Sequence, residues 1–127
     1  MLFELQQFET QLHNPAGWDD HVFMYCDFSN INTEGAIIGA TFQGCRFNNC
    51  DWYWGLFNTA IFVQVKFENC TFRGCSFYDC RFIECEFLNC EFTIDSFNKS
   101  CSFDKSVWYG CKQEKCKDIE SEFKSMF

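Results

Sequence analysis

CTFRGCSFYDCRFIECEFLNCEF, from Cys70 to Phe92, places a phenylalanine at every fifth residue: Phe72, Phe77, Phe82, Phe87 and Phe92. A cysteine stands two positions before each, at Cys70, Cys75, Cys80, Cys85 and Cys90. Five is neither the helical repeat nor the simple alternation of a strand. Two inward residues flanking one outward residue make a short strand segment, and two further outward residues make a corner. Four such sides close a roughly square coil. Residues about twenty apart then stack on one face, about 4.8 Å from each other.

The pattern runs well beyond this stretch. Large apolar centres continue upstream through Phe67, Phe62, Phe57, Trp52, Phe47, Phe42 and Ile37, and downstream to Phe97. The seats two residues before the centres hold Gly35, Ala40, Cys45, Cys50, Gly55, Ala60 and Val65, all small or modest in size. Large centres filling an axis, with smaller residues beside them, is what close packing demands. Asp95 is the exception among these seats. A buried carboxylate is costly without hydrogen bonds. Asp95 is therefore expected to hold a distorted corner through backbone N–H groups.

The pentads CSFYD, CRFIE and CEFLN resemble the pentapeptide-repeat family, whose consensus is A(D/N)LXX. Here the small position is often Cys and the centre usually Phe. The resemblance covers about residues 21–113 and implies a right-handed quadrilateral β-helix. The expected fold is an all-β solenoid of about 4–5 coils, roughly 22 Å long, with short helical caps. The expected layout is an N-terminal helical cap over 1–20, the β-helix over 21–113, and a C-terminal cap or dimerisation segment over 114–127. Leu2, Leu5, Phe8 and Leu12 recur at helical spacing, as do Cys116, Ile119, Phe123 and Met126. SEFKS (121–125) also reads as a last pentad. Two register breaks are expected: one residue missing between Phe28 and Ile37, and one extra near Asn98, Lys99 and Ser100.

Composition bounds the function. The chain has 127 residues, 47% hydrophobic and 20% aromatic, with a formal charge of −8. That describes a globular chain. It also disfavours direct contact with a nucleic-acid backbone, which needs a basic footprint. A basic protein surface is the more natural partner. MLFELQQFETQLHN lacks a basic start followed by a continuous apolar run, and no stretch of about 18 apolar residues occurs. A cytoplasmic protein without membrane contact is expected, with its eleven cysteines mostly thiols.

Chemistry is scarce. Zinc sites want close pairs such as C-x2-C, whereas C-x4-C sends successive cysteines to different faces. Neither a metal nor a cofactor is expected. Only His13 and His21 are present, and His21 occupies a small inward seat beside Asp19 and Asp20. No nucleophile elbow accompanies them, so no enzyme activity and no catalytic residue is expected.

The outward positions remain. Ile61, Val63 and Ile83 share one face, with Leu56 and Tyr78 on the face before it. Tyr53 and Trp54 stand together, and Trp54 is the strongest single anchor because hot spots favour Trp. Asp79, Glu84, Glu86 and Glu91 ring one coil instead of forming a stripe along the rod. Asn49, Asn69 and Asn89 stack into a side-chain ladder. Cys50, Cys70, Cys90 and Cys111 are expected to form one inward column. The resemblance, with the small size and acidic charge, implies a non-enzymatic immunity or antitoxin-type inhibitor of a basic toxin or effector. The family alternative is a DNA mimic that binds DNA gyrase, and a third reading is a passive scaffold. A homodimer through the C-terminal segment would lengthen the rod.

Overall fold

In a computed structural model the chain is described at residues 2–9, 18 and 20–117. Two- and three-residue strands, separated by corners, stack into four parallel sheets. The first face carries Leu2–Glu4, Val22–Met24, Thr41–Gln43, Ile61–Val63, Arg81–Ile83 and Val107–Tyr109. The second carries Gln7–Glu9, Asp27–Ser29, Arg46–Asn48, Lys66–Glu68, Glu86–Leu88 and Lys112–Glu114. The third carries Asn32–Glu34, Asp51–Tyr53, Thr71–Arg73 and Glu91–Thr93, and the fourth Ile37–Ile38, Leu56–Asn58 and Ser76–Tyr78. Neighbouring coils are tied by backbone bonds, such as Lys66 N–H to the Cys45 carbonyl at 3.0 Å and Glu86 N–H to the Val65 carbonyl at 3.0 Å.

The axis is a set of aromatic columns. On the first face Phe3, Phe23, Phe42, Phe62, Phe82 and Trp108 stack with ring centroids 4.0 to 5.1 Å apart. Rings from adjacent sides of one coil meet edge-on or tilted, as Phe42 and Phe47 do at 5.2 Å and 69°. Both geometries are favourable for aromatic pairs. Trp18 fills the axis near the small centre Thr33; its ring lies 5.7 Å from that of Trp52.

The cysteines take the small seats and are all free thiols. Each described case donates its S–H to the carbonyl of a centre residue one coil earlier. Examples are Cys80 to Phe57 at 3.0 Å, Cys75 to Trp52 at 3.3 Å and Cys85 to Phe62 at 3.3 Å. Burial pushes the Cys45 and Cys80 thiols up to about 11, so they remain protonated donors.

Corners need a left-handed residue. Asn49, Trp54, Thr59, Gln64, Asn69, Asp79, Glu84 and Asn89 all have φ between 52° and 57°. Asn tolerates this region best among non-glycine residues. The expected amide ladder is met in part, as two pairs: Asn89 Nδ2 donates to Asn69 Oδ1 at 2.7 Å, and Asn49 Nδ2 donates to Asn30 Oδ1 at 2.8 Å.

Several expectations need correction. The N-terminal helix is not formed at 2–9, which are strands in the first two sheets. Phe3 and Phe8 are five residues apart, so the pentad period competes with the helical one and wins. Leu2 and Leu5 point outward and are exposed, and residues 10–17 lie outside the described set. At the other end Lys112–Glu114 is a strand, Cys116 bonds the Phe87 carbonyl from an inward seat, and Lys117 bridges to Glu91. The helical reading thus fails through 117. Ile119, Phe123, Met126 and the expected C-terminal dimer contact lie outside the described residues.

The first register break also falls later than expected. Gly35 occupies a corner with φ of 70°, which moves Ala36 into the small seat and makes Ile38 the centre. Ile37 is 46% exposed, and the residue is missing between Ile38 and Phe42. The second break is six residues longer than a plain coil. Ser76 bridges to Ser102, and the Phe77 ring stacks on Phe103. Cys111 therefore lies over Cys85, joined by Lys112 N–H to the Cys85 carbonyl, and Cys116 completes the column of Cys50, Cys70 and Cys90. Phe97 is not a centre; it is 76% exposed.

Candidate protein-binding surface

The six extra residues fold back over the corner that ends Asp51–Tyr53. Asp95 organises them. Its Oδ1 accepts the N–H groups of Phe97 at 2.7 Å and Lys99 at 2.9 Å. Its Oδ2 accepts the Trp54 indole N–H at 2.7 Å. The expectation that Asp95 holds a distorted corner through backbone N–H groups is met, and the Trp54 bond adds to it. The Tyr53 hydroxyl bonds the Ser96 hydroxyl at 2.7 Å and accepts the Ser96 N–H at 3.1 Å. The Phe97 ring stacks on Trp54 at 5.9 Å and 16°. Tyr53 and Trp54, paired by the sequence, sit 4.5 Å apart between ring centroids.

The result is a braced aromatic knob. Trp54 remains 38% exposed although its indole is anchored, and Ile94 beside the loop is exposed as well. Sequence reasoning missed Phe97 because DSFNK (95–99) imitates a pentad. The available signal was the acid in the inward seat, which cannot join an apolar axis.

Burial opposes ionisation of Asp95, but the hydrogen bonds from Lys99, Trp54 and Phe97 outweigh it and hold the carboxyl below its ordinary value. The folded value lies below the unfolded one, so the stabilisation is present above the ordinary carboxylate range, near pH ~4. It is lost as pH falls through the lower folded value. Trp54 emission is expected to stay constant down to about pH 4 and shift below it. Asp95→Asn should abolish that transition, and Trp54→Phe should remove the signal. A shift centred well above the ordinary carboxylate range would refute this assignment.

The first face gathers Ile61, Val63 and Ile83 as expected, with Val63 beside Ile83 in the register. It also gathers Val22, Met24, Val107 and Tyr109, which the two misplaced breaks concealed. Tyr78 lies on the fourth face with Leu56, and the Lys105 ammonium stands 5.6 Å from its ring centroid. Asp79 and Glu84 occupy corners, while Glu86 and Glu91 sit on the second and third faces, so the acids do encircle one coil. On the second face the charges are mixed: Glu68 receives Arg46 at 3.1 Å and Lys66 at 3.2 Å. Lys66 registers beside Glu86, but its ion pair is with Glu68.

A shallow depression of about 550 Å³ lies between the first and second faces, lined by Gln64, Lys66, Glu84, Glu86, Gly110 and Lys112. Gln64 Nε2 donates to Glu84 Oε2 across it at 3.1 Å. Among the described residues no cluster of His, Cys, Asp or Glu could hold a metal ion, and no helix is long and apolar enough to cross a membrane.

Comparison with known proteins agrees with this architecture. The family model for pentapeptide repeats matches residues 60–93, in eight copies. The chain is similar in structure to a pentapeptide repeat protein, Rfr23, from the cyanobacterium Cyanothece 51142. The TM-score is 0.67 at 8% identity, covering 91% of this chain and 88% of that one. It is also similar to a trypsin-treated variant of QnrB1, a plasmid-mediated fluoroquinolone resistance protein, with a TM-score of 0.63 at 14% identity. That match covers 91% of this chain but only 57% of QnrB1. No curated protein matches in sequence.

Proposed function

We propose, for a chain that belongs to the pentapeptide-repeat family, a protein-binding role without catalysis: an immunity-type inhibitor that neutralises a basic toxin or effector. The observation that carries this reading is the braced Trp54 knob. An exposed Trp fixed by Asp95 and Phe97 loses little freedom on binding. Trp is also the residue most enriched at interface hot spots. The net charge of −8 and the acids around one coil support steering of a basic partner. Free thiols fit a reducing compartment, so the proposed site of action is the cytoplasm.

The gyrase-binding alternative has weaker support. Acids that encircle a coil, with mixed charges on the second face, do not reproduce the continuous anionic edge of a duplex.

The test is binding to a basic effector encoded beside this chain, followed by titration calorimetry with Trp54→Ala. The expected loss is at least about 2 kcal/mol, roughly thirtyfold in Kd. Raising salt should slow association while leaving dissociation nearly unchanged. Unchanged affinity for Trp54→Ala removes the knob from the site. Inhibition of gyrase supercoiling by the chain would favour the alternative.

A further inference from the structure

The first face differs from the rest of the surface in charge. Among its described outward residues there is one acid, Glu4, and one base, Arg81; the others are apolar or neutral. The chain as a whole carries −8. A basic partner is drawn to the acids elsewhere, because the one acid on this face, Glu4, is balanced by the one base, Arg81. Two copies of so acidic a chain repel one another except where the surfaces that meet are neutral.

We propose that the first face docks a second copy of this chain, face to face, with the rods antiparallel. The two-fold axis lies along the Thr41–Gln43 strand. In the strand order, Leu2–Glu4 and Arg81–Ile83 stand two strands to either side of Thr41–Gln43. The symmetry therefore sets the strand bearing Glu4 across from the strand bearing Arg81, twice per dimer. The same operation lays Val22–Met24 over Ile61–Val63, apolar on apolar. By the register Glu4 then faces Ile83 and Arg81 faces Leu2, so the two charges meet on a diagonal, two residues apart along strands about 10 Å apart, which a long Arg and a Glu can span. The five overlapping strands offer ten outward side chains per copy. A standard interface uses about 20–30 residues a side, so this dimer is weak and forms at micromolar concentrations or higher.

The test is sedimentation equilibrium of the full chain from about 1 μM to about 1 mM, a range that brackets a weak dissociation constant. Wild type should pass reversibly from the mass of one chain to that of two. Val63→Asp should weaken association about tenfold or more. Glu4→Arg and Arg81→Glu should each weaken it by a similar factor by facing like charges, and the double variant should recover it. Both positions are exposed, so the fold should be kept, and circular dichroism with an unfolding midpoint verifies this. Trp54→Ala should leave the dimer unchanged, which separates this contact from the partner site proposed above. The proposal is overturned by a monomer at every concentration. It is equally overturned by a dimer indifferent to Val63→Asp, or by charge reversals that do not compensate one another.

Discussion

Replacing Phe82 by alanine is expected to cost the fold about 3–5 kcal/mol, read as a fall in the denaturant midpoint at unchanged slope. Phe82 is 1% exposed and stacks between Phe62 at 4.8 Å and Trp108 at 4.0 Å. Phe77 and Phe87 press on it from adjacent sides at 5.9 Å. Truncation therefore opens a cavity in a continuous column, and stiff neighbours on four sides limit collapse into it. Phe97→Ala is the control. The pentad count gives both residues the same seat, yet Phe97 is exposed and stacks on the corner residue Trp54, not in the axis. Its loss should stay near 0.5 kcal/mol. Equal costs at the two positions would mean that the six-residue excursion belongs to the core.

The second large effect is expected at Gly74. Its φ is +56°, and a Cβ there would meet the Asp95 Cβ and Oδ2 at 2.8 Å. Placing an L side chain in the left-handed region costs about 1–2 kcal/mol. Forcing atoms into occupied space adds about 1–3 kcal/mol. Gly74→Val should thus cost roughly 2–5 kcal/mol in total and disturb Trp54 emission, because Asp95 must move. Gly74→Val combined with Asp95→Gly should recover the steric share, a coupling that a double-mutant cycle measures. Strict additivity would show that the contact with Asp95 is unimportant.

These two sites also show what the sequence could and could not reveal. The axis was legible because Phe and Cys repeat against a polar background with a period that only a square coil satisfies. Columns such as Phe62 under Phe82 follow from counting twenty. Counting fails wherever the coil is not twenty residues long. At Gly35 a single corner conformation decides which of Ile37 and Ile38 turns inward, and local composition does not distinguish them. At 94–99 a pentad-like string leaves the stack because Asp95 finds three N–H donors outside it. Two of these donors are local, at Phe97 and Lys99, but the Trp54 bond spans 41 positions and is invisible to a local pattern. Tyr53 and Trp54 were therefore found as a pair, while their partners Ser96 and Phe97 were not. The first-face surface was half found for the same reason. Ile61, Val63 and Ile83 fall within one unbroken run of the count, whereas Val22 and Tyr109 lie beyond a break.

The 94–99 excursion leaves the stack after one strand and rejoins it in perfect phase, with Phe103 over Phe77 and Trp108 over Phe82. Pairing across coils is thus indifferent to how much chain is spent at a corner. Every corner is a splice point at which a segment can be added without rewriting the sides around it. Small excursions of this kind allow one column of phenylalanines to display unrelated loops, so that the rod and its cargo can vary independently.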